Sequence, residues 1–173
     1  MKKLMLVTAL LLSLLSASAR PSGPFSKYVG QVSSYPFIVI DKTALVLTLV
    51  DADGYGIVSY RCAAGINLGN KKISGDHKTP EGVFKINELL RSDYLTHDFG
   101  DGKGPVKGAY GPWFLRLEIP GTRVIGIHGT HLPQSIGTRC TEGCIRLRNE
   151  DITDLKGRVN LGTPVIILPD PVE

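Results

Sequence analysis

The sequence predicts a mainly β protein, a sandwich of two packed sheets with short helices at its edge. Three observations predict it. Short apolar, β-branched runs recur along the chain, clusters of turn-forming residues separate them, and only one segment carries convincing start signals for a helix. The 20 glycines and 11 prolines fit many turns. The strands are too short and too irregularly spaced for an internal repeat.

In chain order, Lys2 and Lys3 precede an apolar stretch over 4–15 and the small residues Ala17-Ser18-Ala19. Residues 1–19 therefore read as a secretory signal peptide. The apolar run falls short of the ~20 residues of a membrane span, and no cysteine follows to accept a lipid. An exported chain, periplasmic or facing the cell wall and with no stable membrane anchor, is expected to start near Arg20. Residues 20–36 hold Pro21, Pro24 and Pro36 among serines and glycines, and read as a flexible tether.

The folded domain is expected over 37–170. Residues 37–40 and 44–50 are strand-like, Asp51-Ala52-Asp53-Gly54 is a turn, and 57–62 resume the strand pattern, a hairpin start. Further strands are expected over 83–86, 113–119, 123–127 and 164–168, with a short helix over 88–92. The convincing helix runs over 149–156, with Asn149 as N-cap, Glu150 and Asp151 in its first turn, and Ile152 and Leu155 toward the core.

With 173 residues, 42% hydrophobic and 21% charged, the chain has the composition of one globular domain. The formal charge of +4 falls by two once Lys2 and Lys3 leave with the leader. The basic residues are scattered and not interleaved with aromatics, which argues against nucleic acid as a partner.

The chemistry concentrates in Ile127-His128-Gly129-Thr130 and Thr141-Glu142-Gly143-Cys144-Ile145-Arg146-Leu147. A thiol needs a base to react at neutral pH, and imidazole is the side chain whose ordinary pKa lies nearest. Cys144 is the candidate nucleophile and His128 its base. A turn through Gly143 can aim the backbone amides of Glu142, Gly143 and Cys144 at an oxyanion. Three cysteines in an exported chain leave at least one unpaired, which fits a nucleophile. Cys62 and Cys140 remain either disulfide-bonded or reduced.

Tyr110 and Trp113 precede the strand leading to His128 and could wall a groove, or belong to the core. His131 is a lesser candidate, and His77 and His97 show no partner and read as surface residues. A zinc site from His128, His131, Cys140 and Cys144 is the rival chemistry, but the spacing is loose for structural zinc. No metal and no cofactor is expected.

These segments, with Gly75-Asp76-His77-Lys78-Thr79-Pro80-Glu81-Gly82-Val83-Phe84 upstream and Gly162-Thr163-Pro164-Val165-Ile166 downstream, resemble the L,D-transpeptidase (YkuD) catalytic domain over about residues 37–169. The resemblance implies that family's β-sandwich, a Cys144 thioester, and His128 oriented by a backbone carbonyl, that of Gly129. It also implies a role for Thr141 in bonding the loop or substrate, and for Arg146 in lowering the thiol pKa or holding the loop. The donor it implies is a peptidoglycan tetrapeptide stem. A stem amine as acceptor gives a 3→3 cross-link; water gives an L,D-carboxypeptidase, and a free D-amino acid gives exchange. A peptidoglycan-binding domain without turnover is the alternative of another class. Glu142 stands where most members carry a second histidine. A carboxylate there either binds a cationic substrate amine or pairs with Arg146 or Arg139.

Overall fold

Apolar runs and turn signals together dictate the strand plan of the computed structural model, which describes residues 20–121 and 125–171. The expected signal peptide and the start of the strand expected at 123 lie outside the described residues. In chain order the elements are α1 (Ser26–Val29), β1 (Phe37–Asp41), β2 (Val46–Val50), β3 (Gly56–Arg61), β4 (Ala64–Gly65), β5 (Gly82–Arg91), β6 (Thr96–His97) and β7 (Val106–Lys107). They continue with β8 (Trp113–Leu117), β9 (Gly126–His128), a 3-10 turn (Pro133–Ser135), β10 (Arg139–Thr141), β11 (Ile145–Arg146), α2 (Asn149–Arg158) and β12 (Pro164–Ile167).

The first three strands form an antiparallel meander. Asp51 Oδ1 accepts from the amides of Asp53 and Tyr55, and Gly54 takes φ +82°, so the turn needs both the Asx side chain and the glycine. Eight strands make one sheet in the order β11-β9-β8-β5-β12-β1-β2-β3. The ten-residue β5 pairs with β12 along its first half and with β8 along its second, and the register shifts between Ile86 and Glu88. The protein is mainly β as expected, and the two layers of its sandwich are halves of one sheet turned over at β5.

One core cluster joins the halves. Ile38, Ile40, Leu47 and Leu49 from one side pack with Leu115, Leu117, Ile127 and Ile145 from the other, and Ile152 and Leu155 of α2 join them. The short helix expected over 88–92 is instead the end of β5. Glu88-Leu89-Leu90-Arg91 are good helix formers, but pairing with β8 satisfies their backbone and overrides that preference.

Residues 20–36, expected as a tether, pack onto the domain. The amides of Ser22 and Gly23 donate to Asp53 O, and that of Phe25 to Gly54 O. Val29 is buried with Phe37, Val39, Val50 and Ile166, and Phe25, Tyr28 and Val32 pack against the same cluster. Here the physical reason is β1 itself. Ile38 and Ile40 face the main core, so Phe37 and Val39 emerge on the outer face, and an apolar outer face needs a cover.

A buried ionic knot ties the end of the chain back to its start. Lys42, 1% exposed, donates to Glu81 Oε1 at 2.7 Å and to the carbonyls of Gly69 and Thr79, and lies 3.0 Å from Asp170 Oδ2. Asp170 also bonds Arg139 and the Gly69 amide.

Candidate active site

Three neighbouring strands build the site's floor. On β9, His128 registers with Phe114 of β8 on one side and Arg146 of β11 on the other. The imidazole stacks on Phe114 at 5.5 Å and 5°, and meets the Tyr110 ring edge-on at 5.0 Å. Gly126 permits this stack, because a Cβ there would sit 2.3 Å from the Phe114 ring.

His128 Nδ1 lies 2.6 Å from Gly129 O. A carbonyl only accepts, so Nδ1 carries the proton and the neutral ring keeps Nε2 as its basic atom. The chain past Gly129 is held in turn by Asn149, whose Oδ1 accepts from the Thr130 amide at 2.7 Å. Asn149 was expected to cap α2; the N-cap is instead Arg148, and Asn149, the first residue of the helix, commits its side chain to this crossing.

Cys144 immediately precedes β11, whose pairing with β9 brings it alongside Gly126. Burial pushes its thiol up to about 11, against the pull of a backbone hydrogen bond from Gly126 and the charges of Arg146 and Lys71, with Glu142 pushing the same way as burial. Burial likewise drives His128 down to about 3, although its bond to Gly129 opposes the fall. Thr141 Oγ1 fixes the turn between β10 and β11, donating to Cys144 O at 2.6 Å and accepting from the Gly143 amide at 3.2 Å. That amide was expected to serve an oxyanion, so the Thr141 hydroxyl competes for it. Gly143 itself is required: φ is +128°, and a Cβ would lie 2.6 Å from Lys78 O.

Arg146 was expected to lower the thiol pKa or to hold the loop. Its charge lowers the Cys144 thiol pKa, and its Nη1 donates to Ser135 Oγ at 2.9 Å, which holds the loop 131–139. The same Nη1 lies 3.7 Å from Cys140 Sγ. Among the described residues no disulfide joins the cysteines: Cys62 is buried, with burial pushing it up to about 12, and Cys140 is exposed.

Cys144, His128, Thr141, Glu142, Arg146 and Tyr110 all line one cleft of about 740 Å³. Trp113, read as a groove wall or as part of the core, does not. Successive side chains on β8 point to opposite faces, so Phe114 reaches the cleft while Trp113 lies on the far side under Lys156 and Arg91, against the core. His131 turns toward Ala109 O and the Phe99 ring. Among the described residues, no three His, Cys, Asp or Glu side chains gather to hold a metal ion.

Sequence reasoning missed several lining residues, notably His97, His77, Lys71 and Phe99. His97 is no isolated surface residue: its Nε2 lies 3.4 Å from Glu142 Oε2 and its Nδ1 3.0 Å from Tyr110 Oη. Of the two expected arrangements, a pair with Arg146 or Arg139 and the holding of a cationic substrate amine, the first is not seen: Glu142 faces His97. No local pattern signals this, because the β6–β7 hairpin carries His97 to the cleft from a distant segment.

A histidine on β9 and a half-buried thiol at the entry to β11 share one cleft of a folded-over sheet, an arrangement of the cysteine acyl-transfer class. Comparison with known proteins gives that class its family. The family model described as the L,D-transpeptidase catalytic domain (YkuD) matches residues 35–167. The chain is 28% identical over 138 residues to a putative L,D-transpeptidase, YqjB, of Bacillus subtilis, covering 78% of this chain and 72% of that protein. It is 42% identical over 62 residues to the putative L,D-transpeptidase YkuD of Bacillus licheniformis, a match covering 36% of each chain. In fold it is similar to the catalytic domain of an L,D-transpeptidase from E. faecium, with TM-score 0.57, 20% identity, and coverage of 79% of this chain and 98% of that one. The chain belongs to the L,D-transpeptidase catalytic domain family.

Proposed function

We propose that this protein is an exported L,D-transpeptidase that joins peptidoglycan stem peptides by 3→3 cross-links through a thioester on Cys144. The observation that carries the reading is the shared cleft of Cys144 and His128, with His128 Nδ1 committed to Gly129 O. Cys144 Sγ attacks the carbonyl carbon that joins the third residue of a tetrapeptide stem to its terminal D-alanine. His128 Nε2 takes the thiol proton as the C–S bond forms. The C–N bond then breaks, and the same proton goes to the departing D-alanine amine. An amine of a second stem attacks the thioester, the C–S bond breaks, and the thiol is restored.

Burial holds both partners in their neutral forms before substrate arrives, so proton transfer belongs to the attack itself. Support for export comes from residues 1–19, with their basic start, apolar run and small-residue end.

The test is the intact mass of the purified protein and of Cys144→Ala after incubation with a disaccharide-tetrapeptide. Expected are an acyl adduct and D-alanine release, both lost in Cys144→Ala. Dimeric product identifies cross-linking, and tripeptide alone would mean that water is the acceptor. Folded, reduced protein giving no adduct and no product would refute the reading.

A further inference from the structure

We infer that Glu142 and His97 form the acceptor-amine subsite, in which the carboxylate collects the incoming ammonium and the imidazole removes its proton. This rests on the transpeptidase reading above and names residues for its second half-reaction. Among the described residues lining the cleft, Glu142 is the sole carboxylate, set among the cations Lys71, Arg116 and Arg146. Lys71 is paired with Asp76 and Arg116 with Glu88, so neither needs Glu142. Glu142 is half-exposed, and only Gly143 separates it from Cys144. A cation bound there is held beside the thioester and remains open to solvent.

A stem amine is an ammonium at neutral pH, since its ordinary pKa is ~10. It has no lone pair until it loses a proton. His97 stands where that proton must go, with Nε2 3.4 Å from Glu142 Oε2. When Nδ1–H donates to Tyr110 Oη, at 3.0 Å, the neutral ring presents Nε2 as an acceptor next to the carboxylate. The ammonium gives one proton to His97 Nε2, and the free amine attacks the thioester carbonyl. The C–N bond forms and the C–S bond breaks. The second amine proton passes through His128 to Cys144 Sγ, and His97 releases the first to solvent. Water needs no carboxylate to hold it, so the pair favours amines over hydrolysis.

The hairpin that brings His97 is fastened at the same place. Phe99 contacts both His97, at 4.5 Å, and His131, at 5.3 Å, and the Tyr110 ring abuts His128. The subsite is thus joined to the nucleophile's own base through packed rings, which fixes where the amine meets the acyl group.

The experiment measures partition. A tetrapeptide donor with its side-chain amine acetylated is mixed with an unblocked tripeptide as acceptor, and cross-linked product is compared with hydrolysed tripeptide from the donor. The ratio is independent of how fast Cys144 is acylated, so a general loss of folding leaves it unmoved. Glu142→Gln should lower the ratio about tenfold or more, the scale of losing a hydrogen bond to a charged group. It should raise the acceptor KM, while Glu142→Asp restores much of the ratio. His97→Gln should lower the aminolysis rate more than it raises that KM. An unchanged ratio in Glu142→Gln overturns the inference, as does wild-type protein that forms the adduct but only hydrolyses it. Wild-type protein that never forms the adduct refutes the transpeptidase reading itself.

Discussion

At the residue scale, burial sets the resting state of the catalytic pair. Burial pushes the Cys144 thiol up to about 11 and His128 down to about 3, which favours thiol and imidazole over a preformed ion pair at pH 7. Below its pKa a thiol's reactive fraction rises about tenfold per pH unit. Alkylation of Cys144 by iodoacetamide, followed by intact mass, should therefore accelerate by about that factor per unit from pH 7 to 10, with no plateau near the ~8.5 of a free cysteine. A plateau below pH 8 would mean that an ion pair already exists at rest. That Cys144 and His128 share a cleft was legible in the sequence because the segments that carry them are local: a thiol, an imidazole and a glycine turn within residues 128–144. His97 was not, since a histidine gains meaning only from what the fold brings to it. The same holds for Asn149, whose cap-like position concealed a long-range bond to Thr130.

At the element scale, three strands and a helix start set the catalytic geometry. Asn149, the first residue of α2, reaches across to the chain just beyond β9, and a Cβ on either Gly111 or Gly129 would strike its Oδ1. Asn149→Ala leaves the Thr130 amide without this partner, at an expected cost of about 1–3 kcal/mol in denaturant unfolding. It also frees the peptide that orients His128, and acylation of Cys144 should slow by about tenfold or more. Unfolding midpoint and adduct formation rate, measured on the same protein, check both. Where strands run to four or five residues and are largely apolar, as in β1, β2, β8 and β12, the sequence told their place. The two- and three-residue strands β4, β6, β7, β10 and β11 carry too few residues for any period to appear. The second half of β5 was misread because its residues favour a helix, and only the partner strand decides otherwise.

At the scale of the whole molecule, the Lys42 knot joins four distant segments: the β1–β2 turn, the approach to β5, Arg139 beside β10, and the chain after β12. Removing the ammonium leaves Glu81 and Asp170 facing each other in a buried place. Lys42→Ala should cost about 3–5 kcal/mol, read as a shift of the denaturant midpoint. A loss under ~1 kcal/mol would mean the pair behaves like a surface bridge. The domain's β class was legible from composition and turn spacing, but its closure into a single folded-over sheet was not. Closure depends on β5 being long enough to serve both layers, and on register, which composition does not carry.

The position of β12 has a consequence for how the chain comes into being. Among the described strands β12 comes last in the chain, yet it lies in the middle of the sheet, between β1, the first of them, and β5. Until residues 164–167 are in place, the domain has two half-sheets with a gap where their shared partner belongs, and each presents an unpaired edge. Closure of the domain must then wait for residues 164–167, and its rate is governed by a search between segments far apart in the sequence.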